Sequence, residues 1–141
     1  MKVKAYLNYG GNCLEAFRFY EKNLGAKIGM VMTYGQSPDQ SNVTPENKDF
    51  ALYASLTIGD STVMASDVDP KHFGRMRSAY LCLTVSSDEE AERIYKLFAD
   101  GGEVYMPMAE TFFASRFGQL RDKFGTSWMI IREKPMGPPQ R

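Results

Sequence analysis

Apolar and polar side chains alternate over residues 3–9, with Val3, Ala5, Leu7 and Tyr9 on one side and Lys4, Tyr6 and Asn8 on the other. A period of two predicts a strand. Gly10-Gly11 interrupts it, Asn12 is suited to cap a helix, and Glu15 stands three places on as in a capping box. Cys13, Phe17, Tyr20 and Leu24 then recur at helical spacing until Gly25 offers a left-handed stop, which predicts a helix over about 13–24. Residues 26–33 read as a second strand, and the polar stretch 35–48, with Pro38 and Pro45, reads as a surface loop. Phe50, Leu52, Ala54, Leu56 and Ile58 alternate with smaller or polar residues, and Gly59-Asp60 suits a two-residue turn into a strand over 62–67.

The order then repeats. Residues 78–85 predict a strand, Ser87 and Glu90 a second capping box, and Ala91, Ile94, Leu97 and Phe98 a second helix, ended by Gly101-Gly102. Strands follow at about 103–106, 112–120 and 127–133, with 122–125 as the turn between the last two. Asn12 and Ser87, like Gly25 and Gly101, lie about 75 residues apart, the sign of one unit used twice. The predicted class is α+β: two βαβββ units forming a curled mixed sheet, helices on the outer face and the other faces enclosing a cavity. A ferredoxin-like sandwich would need one strand fewer per half, and the short strand near Met106 is where the two differ. One domain is expected over 1–134, with units at about 1–68 and 77–134 and a flexible tail at 135–141.

Composition narrows the function. The 17 Lys and Arg balance 17 Asp and Glu, so there is no strong field for a phosphate backbone, and nucleic-acid binding is not expected. The N-terminus alternates like a strand, lacks the apolar run of a signal peptide, and no apolar stretch is of bilayer length, which predicts a cytoplasmic protein without membrane contact. Cys13 and Cys82 read as reduced, small core residues. Nine Met and seventeen Phe or Tyr supply adaptable and aromatic surface for a core or a ligand cavity.

Four segments, 6–13 (YLNYGGNC), 65–67 (ASD), 110–118 (ETFFASRFG) and 122–130 (DKFGTSWMI), resemble in order and spacing the PhnB-like branch of the vicinal-oxygen-chelate superfamily, the glyoxalase and bleomycin-resistance fold. The resemblance covers nearly the whole chain. It implies the doubled unit, and it implies a range of activities rather than one, since the superfamily includes glyoxalases, dioxygenases, epimerases, fosfomycin-modifying enzymes and drug-sequestering proteins. That branch also carries a demethylubiquinone-methyltransferase-like or DNA-binding label, but the chain has no glycine-rich strand-to-helix turn of the kind that holds a nucleotide-like methyl donor.

The superfamily's metalloenzymes place His, Gln or Glu on the first and last strands of each unit. The matching positions here fall at Tyr6 or Ala5, at Tyr80, near 64–66 and near 128–130, where neither imidazole nor carboxylate is available. The one histidine, His72, lies in the connection between units, and Asp67 and Asp69, flanking that connection, read as turn caps facing water. Neither a metal nor another cofactor is expected.

If Val3, Ala5, Leu7 and Tyr9 pack on the helix, Tyr6 and Asn8 point the other way, and Tyr80 and Cys82 do so in the second unit, making Tyr6 and Tyr80 pseudo-symmetric partners able to donate hydrogen bonds to a ligand oxygen. Ser66 joins this ligand-facing set, and Trp128 with Phe112 suits stacking on a flat ligand, or the core. Glu110 and Arg116 are the candidate general base and anion partner of a metal-independent isomerase or lyase; as alternatives they form an ion pair or stay solvated. The leading expectation is a homodimeric small-molecule-binding protein.

Overall fold

The computed structural model describes residues 1–135. The tail expected from 135 onward falls almost wholly on residues 136–141, outside the described residues. The chain divides into two compact units after Gly74.

In the first unit β1 (Ala5–Tyr9) leads to α1 (Cys13–Leu24), then β2 (Lys27–Thr33), β3 (Ala51–Ile58) and β4 (Ser61–Asp67). The sheet order is β1-β4-β3-β2, with β1 parallel to β4 and the other pairs antiparallel. The second unit repeats this with β5 (Leu81–Thr84), α2 (Asp88–Ala99), β6 (Glu103–Ala109), β7 (Ala114–Arg121) and β8 (Ser127–Glu133), in the order β5-β8-β7-β6. Each unit thus has its own four-stranded mixed sheet, three strands following the helix, as the α+β reading requires and the sandwich does not.

Each helix covers one face of its sheet. Phe17 and Tyr20 of α1 are buried against that face, where Tyr9, Ala54, Leu56, Val63 and Ala65 are also buried; Ala54 and Ala65 are opposite each other in the β3–β4 ladder. Small paired residues let the helix approach closely. In the second unit Ile94 and Phe98 of α2 meet a face built from Leu120, Trp128 and Ile130.

Several boundaries moved for visible reasons. The first strand begins at Ala5, leaving Val3 exposed rather than packed on the helix. Strand β5 begins at Leu81 because Ser78 takes a left-handed conformation, φ 60°, which ends the extended chain. Strand β6 runs on to Ala109 through Pro107, which an edge strand tolerates. Phe112 and Phe113 precede β7 in a bend, where the Thr111 hydroxyl accepts from the backbone N–H of Phe113 and Ala114. The loop over 35–48 holds a 3-10 turn, Tyr34–Gln36, and is closed at its neck by Gly35 N–H to Lys48 O, 2.8 Å.

The two helix caps differ. Ser87 accepts from Glu90 N–H at 3.1 Å, as its capping box predicts. Asn12 makes no such bond. Its role passes to Asp67 at the far end of β4, whose Oδ1 accepts from Gly11 N–H (2.9 Å) and Cys13 N–H (3.0 Å) while Oδ2 accepts from Ala51 N–H (2.9 Å). Asp67 is therefore buried rather than water-facing, whereas Asp69 caps the short turn Pro70–His72 at the surface as expected. Among the described residues no helix is long and apolar enough to cross a membrane.

Candidate functional site

The pleat decides what is left for a ligand. In β1 and β4 the pairs Leu7–Ala65 and Tyr9–Asp67 face α1, so Tyr6–Met64 and Asn8–Ser66 face away from it. This open face carries three of the sequence-predicted residues together. Tyr6 is 49% exposed and its hydroxyl is hydrogen-bonded to Ser66 Oγ. Ser66 has a single hydroxyl proton and donates it to Leu52 O at 2.7 Å, so Ser66 is the acceptor and Tyr6 the donor in that bond. Tyr6 was expected to donate to a ligand oxygen; its proton is engaged within the protein, and what it presents outward is lone pairs. Asn8, exposed beside it, makes no hydrogen bond through its side chain among the described residues. Tyr34 donates to Asp67 O at 2.9 Å, and burial, with the negative charge of Asp67 and then Tyr6 nearby, raises its pKa above the ordinary phenol value.

In the second unit Leu81–Trp128 and Leu83–Ile130 lie on the helix side, and Cys82–Met129 on the open side. Cys82 is paired to Met129 as Tyr6 is to Met64, and Tyr80, the residue before β5, has the same parity as Cys82. Cys82 is exposed rather than core, with partial burial and the Glu133 carboxylate raising its thiol pKa. Cys13 is buried as expected and its thiol is pushed up to about 12, chiefly by burial and then by Asp67.

Tyr80 meets Tyr105 of β6 edge to face, ring centroids 6.2 Å apart. Strands β5 and β6 are opposite edges of the sheet, so contact between these rings means that the sheet curls around its open face. The guanidinium groups of Arg77 and Arg121 lie 5.6 and 5.9 Å from the centre of the Tyr105 ring, and Arg121 pairs with Glu103 at 2.8 Å. Among the described residues the buried Tyr105 hydroxyl has no hydrogen-bond partner. Sequence reasoning missed Tyr105, because only the curl brings it to Tyr80.

The remaining predicted residues lie elsewhere. Trp128 is 2% exposed, packs on Phe98 at 5.1 Å and donates from Nε1 to Asp122 Oδ2 at 2.9 Å, so it is a core residue and no stacking platform. Phe112 is 91% exposed in the bend before β7, against Phe113. Glu110 pairs with Lys134 at 3.0 Å, and Arg116 with Glu92 at 3.0 Å and Asp88 at 3.6 Å, on the side of β7 that faces α2. Neither is an unpaired group aimed at the open face, and they are not paired with each other. A shallow recess of about 380 Å³ beside the start of α2, lined in part by Ser86, Ser115, Arg132 and Lys134, contains none of the predicted residues. Acidic Asp88, Glu89 and Glu90 already occupy that helix's first turn.

Among the described residues no three His, Cys, Asp or Glu side chains are grouped closely enough to hold a metal ion. The positions matched in sequence to the superfamily's ligands, Tyr6 or Ala5, Tyr80, 64–66 and 128–130, offer neither imidazole nor carboxylate, which does not fit a hard divalent cation. His72 is exposed in the turn after Asp69.

Comparison with known proteins places this geometry. The model of the family described as 3-demethylubiquinone-9 3-methyltransferase matches residues 1–131. Protein YjdN of Escherichia coli strain K12 is 32% identical, covering 96% of this chain and 99% of its own. The crystal structure of protein PA1353 from Pseudomonas aeruginosa is 35% identical, with TM-score 0.84 over 96% of this chain and 99% of that one. The fold alone recurs, at 13% identity and TM-score 0.64 over 95% and 93% of the two chains, in a mutant of the fosfomycin resistance protein FosX from Listeria monocytogenes.

A methyltransferase needs a place for its methyl donor, and the strand-to-helix turn at Gly10-Gly11 is the place to look. A Cβ on Gly10 would stand 3.1 Å from the Phe73 ring, and one on Gly11 2.8 Å from the Phe50 ring. With the backbone N–H groups of Gly11 and Cys13 already given to Asp67, that turn is filled by the protein's own groups and does not fit a nucleotide-like donor.

Proposed function

The chain belongs to the PhnB-like family described as 3-demethylubiquinone-9 3-methyltransferase, within the vicinal-oxygen-chelate superfamily, and from that premise we propose that it binds a small organic molecule on the open face of its first unit without a catalytic metal. The observation that carries this reading is the Tyr6–Ser66–Leu52 hydrogen-bond chain, which fixes a half-exposed phenol with its lone pairs outward. Asn8 supplies both a donor and an acceptor beside it, and Met64 an adaptable apolar wall. Such a face selects a ligand with an N–H or O–H donor on an apolar or aromatic body. The isomerase or lyase alternative loses its support, because Glu110 and Arg116 are each neutralised by other partners.

A thermal-shift screen of metabolites and aromatic drugs tests the reading, since a ligand of the native state raises apparent stability. A hit whose shift falls in Tyr6→Phe and in Asn8→Ala supports it; hits indifferent to both variants place the site elsewhere. The protein is further proposed to act as a homodimer. Exposed apolar residues on edge strands, Met30 and Val31 in β2 and Val104 and Met106 in β6, favour covering by a second copy. Light scattering giving a monomer mass at all concentrations refutes this.

A further inference from the structure

We propose that Arg77, Tyr80 and Tyr105 form a second site, in the second unit, that takes an oxyanion: the carboxylate or phosphate group of a small molecule. The Tyr105 hydroxyl is enclosed and unpartnered, whereas buried polar groups are as a rule hydrogen-bonded. It is a donor with no acceptor among the described residues, free to take one from a ligand. Nearby charge fits that acceptor. Arg121 is balanced by Glu103, but among the described residues no carboxylate lies within ion-pair reach of Arg77, whose guanidinium lies over the Tyr105 ring.

The backbone supports the same assignment. Arg77 and Tyr80 are three residues apart, so in an extended strand they would point to opposite faces. The left-handed Ser78 between them breaks that parity, and both reach the Tyr105 ring. A non-glycine residue held in this conformation is one of the features that cluster at ligand clamps. The anion exchanges Arg77's cation–π contact for a charge-assisted bidentate pair and accepts from the Tyr105 hydroxyl. Tyr80 walls the site edge-on, giving an aromatic carboxylate a surface that free phosphate does not use.

The site uses no residue of the first unit's open face, so the two readings fail separately. Titration of the full chain with sodium benzoate and with sodium phosphate, each against sodium chloride of equal ionic strength, is read by thermal shift and by NMR. Saturable binding by either anion is expected, at least five-fold weaker in Tyr105→Phe and in Arg77→Met and unchanged in Tyr6→Phe. Tighter benzoate identifies a carboxylate on a ring; tighter phosphate identifies a phosphate group; both support the site. Tyr105→Phe keeps the ring under both guanidinium groups and removes only an unpartnered hydroxyl, so the unliganded variant stays folded, melting at or above the native temperature. Binding no stronger than chloride in the native chain, or undiminished in Tyr105→Phe, overturns the proposal.

Discussion

Replacing Asp67 by Asn removes one negative charge and one acceptor from the carboxylate that receives three backbone N–H groups, those of Cys13 and Ala51 buried and that of Gly11 partly so. The amide oxygen can still accept from Gly11 and Cys13, but the new NH2 then faces the Ala51 N–H, donor against donor. Leaving one buried donor unsatisfied costs about 1–3 kcal/mol. Loss of the charge at the N-terminus of α1 adds roughly 0.3–1 kcal/mol. The total is about 1–4 kcal/mol, which for a chain of this size lowers Tm by roughly 4–16 °C. Circular dichroism melts of native protein and variant at neutral pH, with urea titrations to give the free-energy difference, measure it. Asn12→Ala is the internal control, because Asn12 makes no side-chain cap bond, and a shift within about 0.5 kcal/mol is expected. A change below 2 °C for Asp67→Asn, or a larger loss for Asn12→Ala, would refute the assignment of the cap to Asp67.

Two further outcomes follow from packing and charge. Gly102→Ala places a Cβ 2.3 Å from Arg121 O and 2.7 Å from Phe98 O, both backbone atoms, so the variant is expected to lose at least about 3 kcal/mol in urea unfolding, whereas Gly25→Ala, open in space but at φ 66°, loses only about 1 kcal/mol. For the thiols, an aromatic disulfide reagent at pH 8 should label Cys82 in the native protein and Cys13 only after unfolding. Because the folded pKa of Cys13 is raised from 9.0 to about 12, the native state binds the extra proton between those values, so stability is intact below pH 9 and falls as pH rises toward 12. Cys13→Ser should flatten that part of a pH–stability curve, and an unchanged slope would remove Cys13 as its cause.

The doubled unit was legible in the chain because its signals are local: the helix stop at Gly25, the cap at Ser87, the turn at Gly59-Asp60 and strand periodicity each involve neighbours within a few residues. The same periodicity put Tyr6, Asn8 and Ser66 on a common face, since alternation fixes sides before any fold exists. It could not tell which way protons run. Tyr6 spends its proton on Ser66 only because β1 and β4 pair in one register, joining residues 60 apart in sequence.

Partners distant in sequence were decided by tertiary structure alone. Asp67 replaces Asn12 as a cap from 54 residues beyond Cys13, Lys134 takes Glu110, and Asp88 and Glu92 take Arg116. Nor could the sequence reveal Tyr105, since its meeting with Tyr80 depends on curvature accumulated across four strands. Local stereochemistry sets which elements form and which way side chains face, and is written in a few adjacent residues. Which charge meets which, and which hydroxyl is left without a partner, depends on register and curl, which arise only when the strands assemble.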